Sequence, residues 1–315
     1  MSNITIIPYA DKLVPLLIGY SSFSLIIIGS ILNSLTFSIL CRGLFRNARE
    51  RPTMHYMRAI AILDILMLYG WNLNRYTLNI YGFTLRSMNI ASCKFNLFFN
   101  YTILQTSAWL RIFICLDRYL ALTRLHRTWF SRSKNTLLVI TSTTSFFVLL
   151  NLHLLIFGCY YNSNGTVNSN SALYAILPLW DYVHLALYNF IPIILVIILN
   201  SAVIYHLIHR HRTRTIRQSR IQHRSISIAL VTTTFLFILM TAPSNIIYAF
   251  FPTANSIVMN IFASSVYIYH VLSFPLYLIT LNEFRRECMD MILCRANRRR
   301  IQPIIPLTTL IQKCL

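Results

Sequence analysis

Apolar residues in this chain gather into long runs, separated by short polar or basic stretches. A helix needs about 20 mainly apolar residues to cross a hydrocarbon core of ~30 Å. Seven such runs can be read, at about 14–41, 57–79, 93–121, 136–158, 181–208, 225–251 and 257–280. The clearest are Leu25 to Leu40, Leu137 to Phe157 and Ile191 to Ile208. The second and third are weaker, because they carry Asp64, Arg75 and Arg111. Lipid offers the backbone no hydrogen-bond partner, so these runs are predicted to be helices. No alternating pattern repeats at intervals of about ten residues, as an outer-membrane barrel requires. The expectation is an all-α membrane protein: an N-terminal segment over 1–13, a seven-transmembrane helix bundle over 14–280, and a C-terminal remainder.

Composition agrees with this pattern. Hydrophobic residues make up 56% of the chain and charged residues 11%, where a soluble domain carries about 25% charged. Mean hydropathy is +0.58. With 20 Phe and 18 Tyr, the chain is too apolar to remain disordered. The net charge of +20 matters for where it lies. The loops 1–13, 80–94, 159–180 and 252–256 hold three Lys and Arg, and the stretches 42–56, 118–135, 209–224 and 281–315 hold 22. Basic loops stay on the cytoplasmic side. The chain is therefore expected in the plasma membrane, multi-pass, with its N-terminus extracellular and its C-terminus cytoplasmic.

The first thirteen residues lack a charged start and an apolar core, so no cleavable signal is visible, and the first run is expected to act as its own insertion signal. Sequons at Asn3 and Asn164 both fall outside, where glycosylation is chemically open. A third, at Asn100, lies within a span and is expected to stay bare. No loop is long enough for a soluble domain, and no P-loop, GxSxG, HExxH or CxxC occurs. The expectation is a protein with no enzymatic activity, no cofactor and no metal. The pair His209 and His211 makes a poor metal ligand set.

Charged residues inside a membrane mark function by default. Asp117-Arg118-Tyr119 ends the third span at its cytoplasmic edge. Cys93 lies 25 residues before Arg118, or ~37 Å along a helix, at the outer boundary. Cys159 follows the fourth span, also outside. A disulfide between them would tie the outer loop to the top of the third helix; the alternative is two unpaired thiols.

With these residues in view, the chain resembles a rhodopsin-like (class A) G-protein-coupled receptor over residues 14 to about 295. The residues carrying the resemblance are Asn33, Asp64, Cys93, Trp109, Asp117-Arg118-Tyr119, Pro192, Phe237, Pro243 and Ser273-Phe274-Pro275-Leu276-Tyr277. The texture around Ser107-Ala108-Trp109-Leu110 looks most like invertebrate neuropeptide receptors. By the same resemblance, 281–295 with Phe284-Arg285-Arg286 is a short amphipathic cytoplasmic helix, and 296–315 a cytoplasmic tail. The departures are specific. Thr241 stands where the family often has tryptophan, the fourth span has no tryptophan, and the seventh-span motif reads Ser-Phe-Pro-Leu-Tyr. His223 stands where an acid could lock Arg118, and Leu125 replaces a common proline.

The resemblance implies that activation swings the sixth helix outward and frees Arg118 for a heterotrimeric G protein. Pro243 would provide the bend, Phe237 would repack and Tyr277 would turn inward. Snorkelling of Asp117 and Arg118 to the interface is the simpler alternative. Family members often bind sodium at the position of Asp64, with help from Ser107. Here Arg111 lies seven residues before Arg118, placing it and Asp64 both ~10 Å from the cytoplasmic edge. Arg111 could therefore supply the positive charge in place of the ion, within a polar core of Asn33, Asp64, Ser107 and Arg111, where the seventh span offers Tyr269, His270 and Ser273; snorkelling or a backbone-carbonyl partner for Arg111 is the alternative. Candidate ligand-pocket residues are Trp71, Arg75, Asn100, Leu104, Tyr182, His184, Tyr248, Tyr267 and His270. A polar-aromatic cup open outward suits a short extracellular peptide, although interfacial tyrosines look the same in sequence. Arg75 could meet an acidic group or a C-terminal carboxylate. By resemblance, Asn100 in place of an aspartate argues against an amine ligand, and the lack of a seventh-span lysine against a retinal chromophore.

The basic run from Arg210 to Arg224 reads as a G-protein surface or as the charge that holds the chain against anionic membrane lipid. Its place on a membrane face argues against nucleic acid as a partner. Cys294 is the better candidate for palmitoylation, ahead of Cys288. The competing functional readings are a receptor-like chain with lost coupling and a polytopic transporter. The transporter would need repeats or broken helices in matching halves, and none is visible.

Overall fold

The computed structural model describes residues 7–42, 53–123, 132–176, 179–212, 219–251 and 256–293. Asn3, Cys294 and the 296–315 tail lie outside them. Helices dominate: α1 (Ile7–Leu40), α2 (Thr53–Leu68), α3 (Trp71–Tyr81), α4 (Leu85–Met88), α5 (Ile90–Thr123) and α6 (Ser133–Phe157) come first. A two-stranded hairpin, β1 (Gly158–Tyr161) and β2 (Val167–Ser171), precedes α7 (Leu179–Leu185), α8 (Ile191–Arg212), α9 (Ser219–Phe250), α10 (Ser256–Thr280) and α11 (Asn282–Ile292).

Five helical stretches are long and apolar enough to cross a membrane: Leu13–Leu40, Ser133–Phe157, Leu179–His206, Ser227–Tyr248 and Val258–Thr280. The polar distribution is that of a protein dissolved in lipid. Asn33, Asp64, Gln105, Arg111 and Asn151 are buried, while Leu17, Ile31, Leu149, Ile198 and Ile279 face outward. Water would favour the reverse; hydrocarbon favours this arrangement, because buried polar groups find partners only inside the bundle. α5 is the central post, touching α2, α6, α8 and α9, and α1 closes the ring by contacting α2, α3 and α10.

The run 57–79 is not one continuous helix. α2 stops in a turn in which the Tyr69 and Gly70 amides bond to Leu66 and Met67, and Gly70 takes a non-helical conformation (φ −78°, ψ −120°). The next helix starts because Asn100 Oδ1 on α5 accepts the Trp71 amide at 2.8 Å. This approach favours glycine: a Cβ at position 70 would collide with Asn100 Oδ1 unless that side chain moved.

A second irregularity lies between α7 and α8, where Ala186–Phe190 form a π-helical turn. Pro192 has no amide to offer the preceding turn, and the Ile191 amide bonds to Ala186 O. The carbonyl of Leu187 is thereby free to accept the Trp109 indole N–H, at 3.0 Å. After α6, β1 pairs with β2 in antiparallel register. Gly165 turns the hairpin tip in the left-handed region (φ 74°), and Asn164 is exposed beside it.

Candidate functional site

Three polar assemblies lie along α5. At one end, Asp117 Oδ2 accepts from Arg118 Nε (3.2 Å) and Nη2 (2.6 Å), and from Thr53 Oγ1 on α2 (2.5 Å). Arg118 Nη2 also donates to Thr53 Oγ1. Both charges are buried, so this is a satisfied ion pair and not an arginine reaching for solvent. The Tyr119 ring lies 5.8 Å from that of His206 on α8. Tyr277 is buried against Phe284 of α11, with ring centroids 5.8 Å apart. Phe284, Glu287 and Cys288 form the inward face of α11 while Met289 and Ile292 are exposed, as an amphipathic helix requires.

The middle assembly is the most completely bonded. Asp64 Oδ1 accepts from Arg111 Nη2 at 2.9 Å and lies 2.8 Å from His270 Nδ1, and Oδ2 accepts from Ser273 at 2.9 Å. Arg111 Nε donates to Tyr269 Oη at 2.9 Å, and Nη1 to the carbonyl and hydroxyl of Ser107. The guanidinium also covers the rings of Phe237 (5.0 Å) and Tyr269 (5.2 Å). Asn33 joins from α1, donating to the backbone oxygens of Gly29 (3.0 Å) and His270 (2.9 Å). Five helices, α1, α2, α5, α9 and α10, thus contribute to the surroundings of one carboxylate–guanidinium pair. A charge left single in this surrounding would cost several kcal/mol. Sequence depth allows Asp64 and Arg111 to pair, and the seventh span offers Tyr269, His270 and Ser273 beside them; which atom each of the three bonds is set by the rotation of α10 about its axis.

At the other end a cavity of ≈ 360 Å³ opens between α3, α5, α7, α9 and α10. Of the residues expected at a ligand pocket, Trp71, Arg75, Leu104, His184, Tyr248 and Tyr267 line it. Three expected residues do not. Asn100 is turned toward the α2–α3 break, where it caps Trp71. His270 lies deeper, on Asp64. Tyr182 is exposed, its ring 6.2 Å from that of Phe250. Asn100 and Tyr182 differ from the others in the way their helix faces turn, and His270 differs in depth.

The cavity also contains residues the sequence did not mark. Tyr101 donates to Asp181 Oδ1 at 2.5 Å, Tyr188 forms part of the wall, and Arg86 enters from α4. Burial draws the Arg86 pKa below its ordinary value, while Tyr101 and the Asp181 carboxylate pull it back up. Arg86 carried a readable signal, because it and Lys94 are the sole basic residues in the loop 80–94. Thr53 offered none beyond its place before an apolar run. Beneath the cavity wall, Tyr188 meets Phe237 (5.7 Å), and Phe237 meets Tyr269 (5.4 Å). Thr241, in the position read as a lost tryptophan, bonds its hydroxyl to the Phe237 carbonyl at 2.6 Å.

Above the cavity, Cys93 and Cys159 form a disulfide, which fastens the hairpin to the start of α5. Cys288 is buried. Among the described residues no group of His, Cys, Asp and Glu could hold a metal ion. Compared with known proteins, the sequence matches no family model and no curated protein.

Proposed function

We propose that the chain is a rhodopsin-like G-protein-coupled receptor that binds a small peptide outside the cell and activates a heterotrimeric G protein inside. In this reading the membrane is crossed seven times, by α1, the broken pair α2–α3, α5, α6, the α7–α8 unit, α9 and α10. The two crossings beyond the five most apolar ones are those that carry the interior charges. The basic ends face the cytoplasm and the cavity faces outward.

The observation that carries this reading is the distribution of the three assemblies along α5. Tyr101 and Leu104 line the cavity, Arg111 holds the central pair, and Asp117-Arg118 form the buried pair at the far end. From Tyr101 to Arg118 a helix rises ~25 Å, most of a hydrocarbon core. A ligand that shifts Tyr188 would be felt by Phe237, and through it by Arg111 and Tyr269. Pro243 interrupts the bonding of α9 between Phe237 and the outer end, giving that helix a place to bend. Outward movement of α9 would then expose Arg118 to a G-protein helix.

The test is guanine-nucleotide exchange by purified G proteins, with the chain in lipid nanodiscs and a peptide library as the source of agonist. Peptide-dependent exchange that Arg118→Ala abolishes supports the receptor. Peptide binding without exchange by any G protein supports an uncoupled receptor-like chain, the reading favoured by Thr241 and Ser273. Ion current without exchange supports a transporter.

A further inference from the structure

Arg75 is a positioned cation without a counter-ion. Its Nη2 is held by Asn260 O (3.1 Å), Asn260 Oδ1 (3.2 Å) and Ser264 Oγ (3.0 Å) on α10. Its guanidinium lies over the Tyr267 ring at 5.6 Å. All of these partners are neutral. Nε and Nη1 are buried and have no hydrogen-bond partner, and no carboxylate pairs with Arg75 among the described residues. A guanidinium is built to donate two parallel hydrogen bonds to a carboxylate.

The rest of the cavity has a consistent polarity. Arg75 and Arg86 line it as cations and Asp181 as the one anion. Asp181 is already engaged by Tyr101 and lies in the electrostatic reach of Arg86. The cavity is therefore net positive, with the surplus charge on Arg75. Two further lining residues, His184 and Tyr188, each hold a buried polar atom without a partner, His184 Nε2 and Tyr188 Oη. Such a wall suits a ligand with amide groups better than a bare hydrocarbon chain, since unmatched buried polar groups cost binding energy. The Tyr248 and Tyr267 rings supply an apolar shelf of the kind that favours aromatic or aliphatic side chains.

We infer that the cavity recognises a carboxylate, with Arg75 as the residue that binds it and the free C-terminus of a short peptide as its source. This rests on the receptor reading for the orientation of the cavity, and on Arg75 for the ligand class.

The experiment uses the full chain in nanodiscs and matched pairs of N-acetylated tripeptides ending in Phe or Leu, each as free acid and as C-terminal amide. Decanoate is a third arm. Binding is read directly, by calorimetry or by a shift in melting temperature. The free acids are expected to bind about tenfold to a hundredfold more tightly than their amides, the range for a lost charge-assisted bond. Arg75→Gln is expected to erase that preference, and Arg75→Lys to retain part of it. If Arg75→Gln does not fold, Arg75→Lys alone decides: its acid preference must be weaker than that of the unaltered chain. Decanoate binding in an Arg75-dependent manner would keep the carboxylate site and move its source to a fatty acid. Equal binding of acids and amides, binding by none of the probes, or a preference unchanged in both variants would overturn the inference. Amide peptides that bind and drive nucleotide exchange would leave the receptor standing and remove the carboxylate. Acids that bind through Arg75 without exchange by any G protein would do the opposite.

Discussion

Arg111 and Asp64 meet at 2.9 Å inside the bundle, with side-chain exposures of 4% and 0%. Neither charge has access to water, and each accounts for the other's presence. Tyr269, Ser107, His270 and Ser273 take up most of the remaining hydrogen-bonding capacity. The pair fixes the register of α2, α5 and α10 against one another.

Removing one partner strands the other. Asp64→Asn and Arg111→Gln are each expected to destabilise the protein by about 3–5 kcal/mol, read as a fall in melting temperature in detergent or nanodiscs. The double variant is expected to recover much of that loss, because no unpaired charge then remains. Sodium is expected to leave ligand affinity unchanged, since a guanidinium already neutralises Asp64. A clear sodium effect on binding that Asp64→Asn abolishes would contradict the pairing.

Gly70→Ala is expected to lower the melting temperature. The new methyl would collide with Asn100 Oδ1, turning that side chain away and leaving the Trp71 amide uncapped. An unsatisfied buried donor costs about 1–3 kcal/mol. Asn100→Ala is expected to lower the melting temperature by a similar amount, and the two substitutions together by less than their sum, because both remove the same bond.

Cys93→Ser, Cys159→Ser and the double variant are expected to behave alike, each losing about 2–4 kcal/mol. Thermal unfolding and a thiol count under non-reducing conditions check this. A single variant that remains as stable as the unaltered chain would show that the bridge contributes nothing to the fold.

His55 links α2 to Ser133 of α6, with Nε2 and Oγ 2.6 Å apart. Burial first, and the Arg58 charge second, hold its pKa below the ordinary 6.5. The folded protein therefore favours the neutral ring. A depressed histidine pKa means that stability is intact above 6.5 and declines as pH falls through the lower, folded value. Melting temperature is expected to fall on acidification more steeply in the unaltered chain than in His55→Gln. Equal slopes would remove His55 from the acid response.

The sequence made the apolar helices plain, because α1, α6 and α8 contain hydrophobic runs that nothing else explains. It also made Asp64, Arg111 and Asp117-Arg118 conspicuous, since charge in an apolar run is rare. It did not reveal the break at Gly70, which depends on Asn100 thirty residues away. Nor did it reveal the π-turn before Pro192, where the missing amide proton is visible in the sequence but the compensating bond from Trp109 is not. Asn100 and His270 stand in the sequence as candidate pocket residues, Asn100 through the resemblance. Their true partners depend on which way each helix face turns, and that is decided by packing between helices distant in sequence. The hairpin was hidden for another reason: its strands are four and five residues long, too short for an alternating pattern to register.

The account depends on one orientation, with the cavity outside and Arg118 inside, separated by an odd number of crossings. The most direct measurement is antibody access to epitope tags placed before Met1 and after Leu315 in intact cells. The N-terminal tag is expected to be labelled without permeabilisation, and the C-terminal tag only after it. Labelling of both tags on intact cells, or of the C-terminal tag alone, would contradict the account.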